Sequence, residues 1–345
     1  MTQAFTVQDA IDRVGFGPFQ RRLLLVCGIT WAADAAEILL LAFALPAISA
    51  DFGLSRAEGG LLVTATFVGM LAGAWFWGVV ADRVGRRAGF QLTVAIFAVF
   101  GALSAFAPNS GTLLAARVLT GFGLGGALPL DFSLYAEYLP SRNLVLLESF
   151  WALGTVVAAG LALLLVPSVG WRPLLTSSAL AAALVWWIRR RVPESPRWLV
   201  ASGRNAEASG VLAQVAEANG TPLPAGELVP APGGREAGLA TLWRPPYRAI
   251  TAVLWVAWFA ISLGYSGVFS WLPTVLVDRG FSFLRTYQYS FLLTVAQVPG
   301  YLSAAWLVER WGRRATLGAY LTPARCSPTC SPSPAPPPGW WWPGR

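Results

Sequence analysis

Apolar positions in this chain neither alternate with polar ones nor stripe one face of short helices; they run together. Six stretches, at about Leu23 to Ile48, Gly59 to Ala81, Ala88 to Ala107, Thr112 to Tyr135, Leu144 to Val166 and Pro173 to Ile188, are separated by short polar loops. A helix rises about 1.5 Å per residue, so runs of roughly 18 to 25 residues suit about 30 Å of hydrocarbon. Strands of a membrane barrel would alternate, and no other open structure satisfies its backbone in lipid. The pattern therefore predicts an all-α, polytopic membrane protein.

After the sixth run the pattern changes. A polar segment from Arg189 to about Pro246 contains Arg189, Arg190 and Arg191, a short amphipathic stretch and Pro/Gly-rich sequence. Two further spans are predicted at about Tyr247 to Leu272 and Thr286 to Val308, and a ninth begins at Ala315 to Tyr320. The chain thus divides into residues 1–22, a six-helix half 23–188, a linker 189–246, a partial second half 247–320 and a Pro-rich tail 321–345. Proline removes helix donors and clashes with the preceding turn, so the tail is not expected to continue a spanning helix. Its Pro/Ser runs and Trp340 to Trp342 look like out-of-frame reading of GC-rich DNA, which implies a chain truncated after about two spans of its second half.

Charge refines this picture. Only 12% of the 345 residues are charged and mean hydropathy is +0.56, whereas a soluble domain would be about a quarter charged. The net charge of +8 is carried entirely by arginine. Its placement excludes a nucleic-acid patch: 18 arginines fall on the side that holds the N-terminus and 4 on the other, the bias of cytoplasmic loops. The N-terminus and the linker are therefore expected to be cytoplasmic. With no His, and three Cys without zinc spacing, neither a metal site nor a cofactor is expected. Asp9, Asp12 and Arg13 interrupt the first fifteen residues, which argues against a signal peptide. No nucleophile–base pair or phosphate loop suggests an enzyme.

Gly78-Val79-Val80-Ala81-Asp82-Arg83-Val84-Gly85-Arg86-Arg87 follows the second span, and Leu307-Val308-Glu309-Arg310-Trp311-Gly312-Arg313-Arg314 follows the eighth. The acid-Arg-x-Gly-Arg-Arg pattern recurs 227 residues later. Six helices, a linker and a repeated start is the layout of a transporter built from two six-helix halves. The first copy resembles the signature between helices two and three of the major facilitator superfamily. Pro193-Glu194-Ser195-Pro196-Arg197-Trp198-Leu199 resembles the signature after helix six in its sugar-porter-like branch, and Arg117 with Gly121, Gly123, Gly125 and Gly126 resembles the Arg-then-glycines motif of span four. Trp31 to Glu37, Leu130 to Ser133 and Leu147 to Gly154 are most similar to bacterial niacin and aromatic-acid proton symporters. The resemblance covers about Phe16 to Gly318. It departs where Pro140-Ser141-Arg142-Asn143 replaces a longer basic loop, and where the last four helices are absent.

Charges within the runs are the candidate chemistry. An ionised side chain at mid-bilayer costs at least about 2.5 to 3.5 kcal/mol, so Asp34, Glu37, Arg117 and Asp131 need partners or an aqueous cavity. Asp34 and Glu37, at i and i+3, share a helix face. Arg117 and Asp131, fourteen residues apart, fall within roughly 40° on span four. These faces are expected to line a central cavity where a carboxylate exchanges a proton and Arg117 attracts an anion or holds the acid ionised. A static helix–helix ion pair is the alternative. The span-four glycines, with Gly154 and Gly160, are read as packing positions, Glu148 as structural or gating, and Trp171 and Trp243 as interfacial anchors.

The resemblance further implies that Asp82, Arg83, Arg86, Arg87, Glu137, Glu194 and Arg197, with Gly78 and Gly85 and the second copy Glu309, Arg310, Gly312, Arg313 and Arg314, form a gating network between the halves. The expected function is proton-coupled symport of a small organic acid such as nicotinate at the plasma membrane, its partners being the solute, protons and the bilayer. Sugar or organic-cation transport, or a non-transporting membrane fragment, are the alternatives, and truncation implies an inactive form.

Overall fold

The computed structural model describes residues 4–139, 145–230 and 239–325. A two-residue strand β1 (Ala4–Phe5) and helix α1 (Val7–Val14) precede α2 (Pro18–Phe52), α3 (Arg56–Val84), α4 (Arg86–Leu103, continued by a 3-10 turn to Phe106), α5 (Ser110–Glu137) and α6 (Val145–Val169). The sixth apolar run is built in pieces: α7 (Trp171–Thr176), a 3-10 stretch over Ser177–Ala181 and α8 (Ala182–Arg191). The linker holds α9 (Pro196–Ala201), α10 (Asn205–Asn219), β2 (Glu227–Leu228) and α11 (Leu239–Leu242). Then come α12 (Arg248–Asp278), α13 (Phe283–Trp311) and α14 (Arg313–Arg325).

Among the described residues, seven helices are long and apolar enough to cross a membrane: α2, α3, α4 with its 3-10 turn, α5, α6, α12 and α13. The sixth run differs from expectation because a 3-10 stretch divides it. Most helices also outrun their apolar runs, because polar caps extend them. Ser55 accepts from the Glu58 amide at the start of α3 while Glu58 reaches back to the Ser55 amide at 2.8 Å, and the Asn109 side chain accepts from the Thr112 amide at the start of α5.

The chain divides into two compact units, Met1–Val298 and Pro299–Arg345. In the first, α3 and α5 make the most extensive helix pair, followed by α2 with α6 and α4 with α5. Glycine makes the first pair possible. A Cβ on Gly69 or Gly73 would land on the carbonyl of Val118 or Phe122, and one on Gly121 or Gly125 on that of Thr66 or Met70. Gly154 meets the Ala32 carbonyl in the same way, so backbones approach without intervening side chains, whereas Gly160 has only ordinary contact with Phe291. Apolar side chains collect in two cores at opposite ends of α2. One joins α1, α8, α9 and α10 to Leu23, Val26 and Cys27, and the other joins Leu39 to Ile48 with α6, α7 and Tyr287. Tyr287 of α13 is fully buried and donates to the Phe43 carbonyl at 2.7 Å.

The linker is not a free tether. Val7, Ala10, Ile11 and Val14 of α1 are buried in one core with Ala208, Leu212, Val215 and Ala216 of α10. The Asn219 side chain accepts from the Phe19 amide at 3.0 Å and donates to Gln20 Oε1 at 2.8 Å. β1 pairs in parallel with β2, a two-residue ladder between N-terminus and linker within an otherwise all-α fold. No alternation announces strands this short.

In the second unit, Gly312 (φ +82°) turns the chain from α13 into α14, Arg310 lies over the Trp306 ring at 4.4 Å, and the Tyr320 hydroxyl contacts Ser303 and Gly300. The helix continues beyond Tyr320 through Pro323 to Arg325, which moves the expected boundary of the tail. A proline close to a helix end removes only one late hydrogen bond. The Pro140 to Asn143 loop and residues 326–345 lie outside the described residues. Trp171, expected at the interface, is instead buried and donates to Asp51 at 3.1 Å; Trp243 is exposed.

Candidate functional site

The intramembrane charges sort into two groups at different depths. Arg117 enters from α5 and is completely buried. Its Nη1 lies 3.1 Å from Glu37 Oε1 of α2, its Nη2 donates to Ser104 Oγ at 2.7 Å and to the Gly101 carbonyl at 3.2 Å, and its Nε donates to Ser104 at 3.0 Å. Ser178, from the 3-10 stretch of the sixth run, donates to the other Glu37 oxygen. A Cβ at Gly101 would stand 2.8 Å from both Glu37 and Ser178, so only glycine lets α4 close on the pair. Contrary to the cavity-facing expectation, Arg117 presents no free face: helix packing seals it among α2, α4 and α5. Two surface clefts, one lined by Leu163, Arg285 and Phe291 and another by Leu45, Trp271 and Asp278, lie away from it.

Asp34 shares the α2 face with Glu37, is equally buried, and neither of its oxygens has a hydrogen-bond partner. Asp131 is also fully buried, beside the Cys27 thiol and separated from Arg117 by fourteen residues of α5, about 21 Å of rise. The tertiary structure gives the two residues different neighbours, Glu37 and Ser104 for Arg117 and Cys27 for Asp131. Next to Asp34, Trp31 packs edge-on to Trp151 of α6 at 6.2 Å and tilted to Phe132 of α5 at 6.3 Å. Trp151 Nε1 donates to the Tyr265 hydroxyl of α12 at 3.0 Å, and Tyr265 stacks near Phe269. Glu148 faces the Trp31 indole. An aromatic wall thus runs from α2 through α6 to α12.

The loop residues after α3 also find partners. Gly85 (φ +103°) closes α3, and a Cβ there would stand 2.6 Å from Glu194. Glu194 accepts from the Arg87 amide at 2.9 Å, while Arg87 Nη1 donates to the Val192 carbonyl at 3.4 Å. Arg86 stands 2.5 Å from Glu137, an ion pair by distance rather than an aligned hydrogen bond, and Ser195 donates to the other Glu137 oxygen. Trp198 donates to the Asp82 carbonyl at 2.9 Å, and Arg197 to Gln8 of α1. Tyr138 donates to the Glu194 carbonyl at 2.8 Å, and burial pushes its phenol well above its ordinary pKa. This network ties α3, α4 and α5 of the first six-helix half to α1 before it and to α9 of the linker. The Asp82 and Arg83 side chains are exposed, and Gly78 has open space around it. Gly312 repeats the left-handed turn of Gly85 between α13 and α14, with Glu309, Arg313 and Arg314 exposed beside it.

Sequence reasoning missed Gly101, Ser104 and Ser178, and gave Ser195, within the Pro193-to-Leu199 signature, no role of its own. A lone serine or glycine in an apolar run carries no spacing signal, and only the fold brings them to Glu37, Arg117 and Glu137.

Comparison with known proteins places these features. The sequence profile described as Major Facilitator Superfamily matches residues 23–342. The niacin transporter NiaP of Acinetobacter baylyi is 39% identical over 90% of this chain and 72% of its own length. The synaptic vesicle 2-related protein of Xenopus laevis is 36% identical over 91% of this chain, which spans 61% of that protein. Among solved structures, the xylose transporter XylE from E. coli, in a partially occluded inward open conformation, superposes with a TM-score of 0.64 at 19% identity, covering 86% of this chain and 75% of that one.

Proposed function

The chain belongs to the major facilitator superfamily, a multi-pass membrane transporter family, and from that premise we propose proton-coupled symport of a small aromatic acid, nicotinate being the leading candidate. The observation that carries the reading is Asp34: a buried carboxyl without a hydrogen-bond partner, one helical turn from the Glu37–Arg117 pair and beside the Trp31–Trp151 wall. The identity to a niacin transporter over 90% of the chain supports the substrate class.

In this reading the aromatic wall stacks the pyridine ring. A proton delivered to Glu37 neutralises it and loosens its hold on Arg117; once α4 moves off the pair in another conformation of the cycle, the planar fork of Arg117 suits a carboxylate, and the substrate anion takes the place that Glu37 vacates. Asp34 takes up or passes on that proton. When substrate leaves, Glu37 gives up its proton and closes again on Arg117. Coupling then follows from one guanidinium serving two carboxylates in turn. Arg86, Arg87, Glu137, Glu194 and Arg197 hold the base of the first half as one body while it moves. The arginine bias supports a cytoplasmic N-terminus and linker in a plasma membrane.

Uptake of radiolabelled nicotinate into proteoliposomes with an imposed pH gradient, by a form of the protein carrying a complete second six-helix half, tests the reading; the 345-residue form is proposed to be inactive. Accumulation above empty vesicles, abolished by a protonophore and competed by benzoate, is expected. Competition by a quaternary ammonium solute or by xylose, with no effect of benzoate, would replace it with the organic-cation or sugar alternative.

A further inference from the structure

Asp131 lies on α5 six residues before the helix end at Glu137, about 9 Å along the axis. It is fully buried, and neither carboxylate oxygen receives an N–H or O–H. The Cys27 thiol of α2 lies against it, a weak donor at best. One turn further along α5, Tyr135 is also fully buried, close to both Cys27 and Asp131, and its hydroxyl has no hydrogen-bond partner. The charged groups on the elements packed around this point are Arg21, Arg22, Asp34 and Glu37 of α2, Asp82 and Arg83 at the end of α3, Arg86 and Arg87 at the start of α4, Arg117 and Glu137 of α5, and Glu148 of α6. Of the cations, Arg21, Arg22 and Arg83 are exposed, Arg86 is paired with Glu137, Arg87 donates to the Val192 carbonyl, and Arg117 is committed to Glu37, Ser104 and Gly101 at the other end of α5. Among the described residues no cation faces Asp131. An ionised carboxylate in these surroundings would have no counter-charge and no donor stronger than the Cys27 thiol, whereas a carboxylic acid needs only a hydroxyl or thiol neighbour.

We propose that Asp131 is a second proton-carrying residue, separate from the Glu37–Arg117 site, which holds a proton in this conformation and passes it through Tyr135 toward the Glu137 end of α5. In the step, the Asp131 O–H bond breaks and the phenol oxygen accepts that proton while releasing its own to water admitted at the helix end. Tyr135 is left unchanged and Asp131 becomes a carboxylate. The direction of transfer rests on the proton-coupled reading above; the protonated state of Asp131 does not.

Infrared spectroscopy of the purified protein reads protonated carboxyl groups directly through their carbonyl stretch. At neutral pH the wild type should show this band, Asp131→Asn should lose one component of it, and Asp34→Asn a different one. Tyr135→Phe should keep the Asp131 component but slow its loss after an alkaline jump. Asp131→Leu, which suits the apolar surroundings, gives the same reading should the Asn variant fold poorly. An unchanged carbonyl band in both Asp131 variants, with loss of ionised-carboxylate absorption instead, overturns the proposal. So does a band that disappears when sodium replaces choline at constant pH, because the site would then take a metal cation. If the Asp131 component is present and wild-type uptake ignores the pH gradient, the coupling reading falls and this site stands; the reverse result sinks only this inference.

Discussion

Arg117 of α5 and Glu37 of α2 meet at 3.1 Å with both side chains closed off from solvent, and Ser178 completes the carboxylate from the broken sixth span. Removing one member of a buried pair leaves the other uncompensated and costs about 3 to 5 kcal/mol. Arg117→Ala should therefore lower the melting temperature strongly, and Glu37→Gln in the same chain should recover part of the loss. Thermal unfolding of the four proteins of this double-mutant cycle measures the coupling. Additive losses would mean that the pair does not act as a unit.

Proton coupling separates accumulation from exchange. In a form of the protein carrying a complete second six-helix half, with the proton carried by Asp34 or Glu37, Asp34→Asn or Glu37→Gln should abolish uphill, gradient-driven nicotinate uptake while exchange of bound substrate is partly retained. Both fluxes are read in the same proteoliposomes. Full accumulation in both variants would remove α2 from the proton path.

The α3–α5 seam makes a sharp steric prediction. Gly125→Ala drives a methyl group into the Met70 carbonyl and should cost about 1 to 3 kcal/mol, the usual range for overpacking. Gly78→Ala, on α3 but in open space, should be neutral or stabilising by up to about 1 kcal/mol. Melting temperatures in detergent compare the two, and equal losses would contradict the close approach.

Asn219 pins the end of α10 to the start of α2 through Phe19 and Gln20. Asn219→Ala leaves the Phe19 amide without its acceptor, at a cost of about 1 to 3 kcal/mol. Hydrogen exchange should then quicken in α1 and α10 and stay unchanged in α3. Uniform exchange across all three would show that the linker was never docked.

Topology can be read with single cysteines. Ser202→Cys, in the exposed turn after α9, should resist an impermeant thiol reagent applied to intact cells, and Ala57→Cys, at the exposed start of α3, should react. The opposite pattern would invert the orientation drawn from the arginine bias.

Much of the architecture was legible because hydrocarbon imposes a simple rule. A backbone in lipid must satisfy itself, so an uninterrupted apolar run of sufficient length specifies a helix whatever it packs against. The runs that became α2 to α6, α12 and α13 were therefore readable, and the Gly85 and Gly312 turns could be paired from their shared motif. The 3-10 break over Ser177–Ala181 was not, because its residues are as apolar as a continuous helix would be. The β1–β2 ladder was also invisible, since two residues carry no period.

At the site, sequence alone determined which ionisable groups lie within the membrane and which of them share a helix face: Asp34 with Glu37, and Arg117 with Asp131. Those relations are local, fixed by 3.6 residues per turn. Which acid Arg117 meets was decided only by tertiary structure. α2 and α5 bring Glu37 and Arg117 to the same depth, Gly101 allows α4 to close over them, and Asp131, at the far end of the same face, is left with Cys27 and Tyr135. Partner choice depends on the depth and separation of packed helices, and those are set by glycine contacts scattered along several segments rather than by spacing within any one of them.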